Sequence, residues 1–90
     1  MEVEIRRTGD SYAEVEIEGE EHTLGALLVD LLLKEQHVKM ASYSQPHPLE
    51  EKIVIKILTD GQIDPADAFR KAVERGLELV NKFQRDVESL

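Results

Sequence analysis

Three histidines, His22, His37 and His47, and a short set of hydroxyl and carboxylate side chains are what this chain offers for chemistry. A histidine metal site needs two ligands at i and i+4 on one helix face, or a short motif that returns the chain to the ion. The spacing of these three supplies neither. His22 beside a helix entry and His47 between two prolines read as hydrogen-bonding or packing residues, and His37 as a cation at a helix end. Asp60 is a candidate base, but Thr59-Asp60-Gly61 after an apolar strand has the composition of a turn whose carboxylate accepts from nearby backbone amides. Ser42, Tyr43 and Ser44 come with no motif that supplies a base and an orienting residue. Gly25, Gly61 and Gly76 are isolated, so no glycine-rich loop is present to cradle a phosphate. Gly25 and Gly76 fall inside helical patterns, where each costs about 1 kcal/mol relative to Ala, and so point to close helix approach. There is no cysteine, which excludes disulfides and thiolate metal sites and suits a reducing compartment. On these residues no catalytic role, metal or cofactor is assigned.

The elements that would carry such side chains are better defined. Val3 and Ile5 alternate with Glu2, Glu4 and Arg6; after the turn at Thr8-Gly9-Asp10-Ser11, Ala13, Val15 and Ile17 alternate with Glu14, Glu16 and Glu18. That period of two predicts a hairpin with one wet face. Its glutamates read as a solvated face or, in the alternative, as a surface for a basic partner. A helix follows over Glu21 to Leu33, with Thr23 as its cap. At 100° per residue, Leu24, Leu27, Leu28, Leu31 and Leu32 form one stripe, while Ala26, Val29 and Leu33 gather on the other side. The first stripe suits the chain's own core. The second is left over, and exposing it would forfeit roughly 1.5–3 kcal/mol per large side chain, so a partner subunit is expected to cover it.

Val38–Tyr43 and Lys52–Leu58 read as two further strands, the latter with Ile53, Ile55 and Ile57 inward and Lys52 and Lys56 outward. Pro46 and Pro48 stiffen the loop between them. Asp64-Pro65-Ala66-Asp67 is a strong helix start. The seam Phe69, Val73, Gly76, Val80, Phe83, Val87 and Leu90 then alternates steps of four and three, broadened by Ala72, Leu77 and Leu79. A helix from Pro65 to near the C-terminus is about 37 Å long, whereas four strands span about 19 Å, so much of it must overhang its own sheet. Val80, Phe83 and Val87 are therefore candidates for packing between subunits.

Ninety residues make one domain, residues 1–90, with a real but thin core. A formal charge of −8, from 19 acidic and 11 basic residues, argues against direct contact with nucleic acid. Without a membrane-length apolar run, and with an acidic, alternating Met1-Glu2-Val3-Glu4-Ile5, the chain is expected to be soluble, unprocessed and free of membrane contact.

Three segments carry a resemblance. Glu18-Gly19-Glu20-Glu21-His22-Thr23-Leu24-Gly25, Ala41-Ser42-Tyr43-Ser44-Gln45-Pro46-His47-Pro48-Leu49 and Lys56-Ile57-Leu58-Thr59-Asp60-Gly61 closely resemble the archaeal RNA polymerase subunit L family. These small alpha-like subunits are related to those of the eukaryotic nuclear polymerases and to the bacterial alpha dimerisation domain. The similarity runs from about Glu2 to about Phe83, with Ala26 standing where the family often carries Asn. It implies an α+β, alpha-like dimerisation fold in the order ββαββα, with a four-stranded, mainly antiparallel sheet and two helices on one face. It implies a noncatalytic assembly subunit of a nucleotidyltransferase complex, DNA-directed RNA polymerase, acting in transcription in the cytoplasm. The partner it implies is the larger of the two alpha-like polymerase subunits, known as D, in a heterodimer; the pair then serves as the platform for the large catalytic subunits, and DNA is met only through the complex.

The motif positions carried over are His22, Thr23, Leu24 and Gly25 at the helix entry, Pro46, His47, Pro48 and Leu49 in the loop, and Thr59, Asp60 and Gly61 in the turn. The partner interface is expected at Gly25, Ala26, Val29, Leu33, Val80, Phe83 and Val87. The two-faced and overhanging helices fit a heterodimer or a stand-alone homodimeric protein-binding module equally, and the isolated chain is a possible homo-oligomer. A small hydrolase or isomerase is a third reading.

Overall fold

A computed structural model of the chain describes residues 2–19, 22–47 and 49–90, with His22 described by its backbone. The order is β1 (Glu2–Arg7), β2 (Tyr12–Glu18), α1 (His22–Leu33), β3 (Val38–Ser44), β4 (Lys52–Thr59) and α2 (Pro65–Glu88). The strands form one antiparallel sheet in the order β1-β2-β4-β3. The register aligns Ile5, Val15 and Ile55 in one row and Val3, Ile17 and Ile53 in the next, so these side chains share one face of the sheet. Both helices lie on that face, where Val15, Ile17, Ile53, Ile55 and Ile57 meet Leu28, Leu31 and Leu32 of α1 and Ala68, Phe69 and Ala72 of α2. At about 25 cal/mol per Å² of apolar surface, these fully covered side chains are the main source of the domain's stability.

The hairpin departs from expectation at β1, which is wet on both faces: Val3 is 49% and Ile5 36% exposed. The reason is coverage. α1 packs mainly on β3 and β4, and only α2 reaches toward the edge strand β1. Val3 and Ile5 thus lie on the core side of the sheet, beyond the helices that roof it.

α1 already includes His22 and Thr23, so Thr23 sits in the first turn and is not the cap. The helix ends in tight turns, Lys34 N–H to Leu31 O and Glu35 N–H to Leu32 O, followed by His37 in the left-handed region at φ 76°. α2 starts as its sequence dictates. Asp64 accepts a hydrogen bond from Ala66 N–H at 2.8 Å, Pro65 occupies the first helical position, and Asp67 faces the positive end of the helix dipole. A pairing missed at the sequence level ties the helices together: Arg75 Nε donates to Glu35 Oε1 at 3.0 Å, the carboxylate being almost fully buried.

Candidate partner interface

Most of the large apolar side chains left open by this fold lie on the two helices. On α1, Thr23, Ala26, Leu27, Asp30 and Leu33 are exposed, a set at helical spacing that forms the side turned away from the sheet. Leu27 and Leu33, about half exposed, flank Asp30 on that side. On α2, Leu77, Leu79, Val80, Phe83 and Val87 are all exposed, Phe83 by 71%. With 24 residues, α2 is about 36 Å long. Its buried side chains stop at Ala72, and Val73 and Gly76 are half covered. The overhang expected from helix length is present.

Two of the expected interface positions, Gly25 and Val29, take part in the chain's own packing. Gly25 is buried, and a Cβ there would stand 2.8 Å from Tyr43 Cδ2 and 3.3 Å from Ile53 Cδ1. Its glycine brings α1 close to the sheet. Val29 is half-buried against the core. Leu27, assigned to the inward stripe by periodicity, is exposed. These shifts have one cause. With no side chain at Gly25, the helix rolls toward that flank, drawing Val29 under and turning Leu27 out. Gly76 does the corresponding service between helices, where a Cβ would stand 3.0 Å from Leu31 Cδ1. Ala26, Leu33, Val80, Phe83 and Val87 keep the outward positions expected of them.

Among the described residues, the motif positions do not converge on one site; the His22 side chain lies outside them. Leu24 packs partly on the core, while Thr23, Pro46, His47 and Leu49 are exposed, and Pro48 lies outside the described residues. The loop is held by Gln45 Nε2 donating to Glu50 O at 2.9 Å and by Glu50 N–H donating to His47 O at 3.0 Å. Thr59 is buried; its hydroxyl donates to Ile63 O and accepts from Gly61 N–H. Asp60 accepts from Gln62 N–H at 2.8 Å and faces His37 Nδ1 at 2.7 Å. The Gln62 amide is the main cause holding the Asp60 carboxyl below its ordinary value; desolvation opposes it, and His37 and then Lys39 add to the lowering. A carboxylate so occupied pins the α1–β3 corner to the turn before α2. Among the described residues no group of three or more His, Cys, Asp or Glu side chains is placed to hold a metal ion, and no helix is long and apolar enough to cross a membrane.

Known proteins resemble this chain along nearly its whole length. Residues 12–86 match the model of the RNA polymerase Rpb3/Rpb11 dimerisation domain. DNA-directed RNA polymerase subunit Rpo11 of Sulfurisphaera tokodaii is 52% identical over 90 residues, covering 100% of this chain and 97% of that one. The Rpo11 subunit of Sulfolobus acidocaldarius is 46% identical over 90 residues, covering 100% of both. The crystal structure of DNA-directed RNA polymerase subunit L from Thermoplasma acidophilum superposes with a TM-score of 0.84, covering 98% of this chain and 86% of that one. At 22% sequence identity, that likeness speaks for the fold.

Proposed function

This chain belongs to the RNA polymerase Rpb3/Rpb11 dimerisation domain family, and from that premise we propose that it is the archaeal subunit L, or Rpo11, of a cytoplasmic DNA-directed RNA polymerase. Its role is noncatalytic assembly. It pairs with the larger alpha-like subunit, and the pair forms the platform for the large catalytic subunits, which alone bring it to DNA.

The observation that supports this reading most is the continuous apolar stripe of α2, which leaves its own sheet after Ala72 and runs on through Val80, Phe83 and Val87. A 90-residue domain does not keep several large apolar side chains half or more exposed on one helix without a use for them, since covering each contributes roughly 1.5–3 kcal/mol. Leu27 and Leu33 of α1 offer a second strip, and the proposed interface joins these strips to the corresponding helices of the larger alpha-like subunit.

The test is co-expression of the tagged chain with the recombinant larger alpha-like subunit of the same source, followed by size-exclusion chromatography with light scattering. A stable 1:1 heterodimer is expected, and the heterodimer should enter polymerase on addition of the other subunits. A homodimer indifferent to the larger alpha-like subunit would overturn the proposal. The isolated chain is also expected to show no affinity for duplex DNA at physiological salt, as its charge opposes the polyanion; tight, steeply salt-dependent binding by anisotropy would point to a nucleic-acid module instead.

A further inference from the structure

The face of the sheet opposite the helices is also uncovered, and it has two distinct parts. At one end, Tyr12, Leu58 and Met40 form a cross-strand row. With Ser42 and Lys56 they line a shallow hollow of about 130 Å³. A cavity of ~150 Å³ accepts a benzene ring, so this hollow has room for one apolar side chain. Met40, on the edge strand β3, is 61% exposed beside it.

At the other end the cross-strand pairs are Glu2 with Glu18 and Glu4 with Glu16. Like charges directly opposite each other destabilise a sheet. Arg6 reaches Glu4 and Glu16, and Lys52, although it stands opposite Glu18 in the register, turns to Glu16 as well. The available cations thus converge on the second pair. Glu2 and Glu18 have no cation within ion-pair distance among the described residues. A merely solvated face has no need of such an arrangement, because alternating signs would serve solubility without the repulsion. The hollow and the Glu2/Glu18 pair are six residues apart along β2, about 20 Å at 3.3 Å per residue.

We propose that the open face of the sheet docks an extended, Lys/Arg-rich segment of a polymerase chain other than the alpha-like partner, with one apolar side chain seated in the Tyr12/Met40/Leu58 hollow and basic residues over the glutamate pairs. The occupant follows from charge complementarity at one end and from the size of the hollow at the other. It is a third chain because this face and the helix face lie on opposite sides of one sheet and can be filled together. The inference rests on the polymerase-subunit reading.

The experiment uses the heterodimer with the larger alpha-like subunit and a polymerase assembly reconstituted without this chain. Met40→Arg places a cation at the hollow on an exposed edge position, and Glu2→Gln with Glu18→Gln removes the unpaired repulsion. Both variants should form heterodimer normally. Each should bind the remaining assembly at least 10-fold more weakly, and the double glutamine variant should at the same time melt at a higher temperature and show a shallower salt dependence of binding. A photo-crosslinker at position 40 should capture a basic segment carrying an apolar residue from a chain other than the alpha-like partner. Variants that assemble with unchanged affinity would overturn the open-face proposal alone. A wild-type chain that fails to pair with the larger alpha-like subunit would overturn the subunit reading, and this inference with it.

Discussion

The two halves of α2 carry the same stripe into different surroundings. From Pro65 to Ala72, Phe69 and Ala72 are buried on the chain's own sheet. From Leu79 onward every residue is exposed, although Val80, Phe83 and Val87 continue the seam at unchanged spacing. Periodicity therefore tells that a face wants cover but not which chain supplies it. The difference is set by reach: the sheet ends and the helix does not. α1 repeats the lesson across its width, with Leu32 fully buried and its neighbour Leu33 half exposed.

That neighbouring pair gives the strongest way to break the contrast. Leu32→Asp would bury an unpaired carboxylate at a cost of several kcal/mol, comparable to the whole stability of a small domain, and should leave the isolated chain unfolded by circular dichroism. Leu33→Asp should leave the isolated chain folded and abolish pairing with the larger alpha-like subunit. Equal unfolding by both would mean that α1 has no outward face.

Next in size is the overhang. Replacing Phe83 and Val87 together by Ser removes roughly 1.5–3 kcal/mol of partner burial each, and so should weaken heterodimer affinity by roughly 10²- to 10⁴-fold. Thermal unfolding of the isolated chain, at a concentration where it does not self-associate, should change by no more than about 0.5 kcal/mol. A large loss of monomer stability with unchanged affinity would show that this half of the helix folds back on its own chain.

A smaller effect is expected where α1 meets the sheet. Gly25→Ala gains about 1 kcal/mol of helix propensity but forces the Tyr43 ring aside, with overpacking costs of about 1–3 kcal/mol, so a net loss of about 1 kcal/mol is expected in denaturant titration. A stabilised variant would mean that the roll of α1, and with it the outward turn of Leu27, has another cause.

The smallest effect lies at Asp60, away from both apolar surfaces. Its folded carboxyl titrates below the ordinary 3.8, so its contribution is fully present above that value and is lost as pH falls through the lowered one. Asp60→Asn should be slightly less stable than wild type at neutral pH, and the two should converge in acid; heterodimer affinity should stay unchanged. A gap that persists below the folded value would assign Asp60 a role other than its hydrogen bonds as a carboxylate.

Local chemistry was sufficient for the element order, the core isoleucines of β4, the Asp64-Pro65 helix start and the Thr59-Asp60-Gly61 turn, because each rests on a period of two, a period near 3.6 or a side chain acting within a few residues of itself. The overhang of α2 was legible too, since it follows from counting residues along a helix and strands across a sheet. What only the tertiary structure decided was the orientation of one element against another. The roll of α1 over Gly25, the bare core side of β1 at Val3 and Ile5, and the Glu35–Arg75 tie all depend on where a helix axis settles on the sheet. Residues that neighbour each other only across the fold determine that position, and their meeting leaves no local mark in the chain.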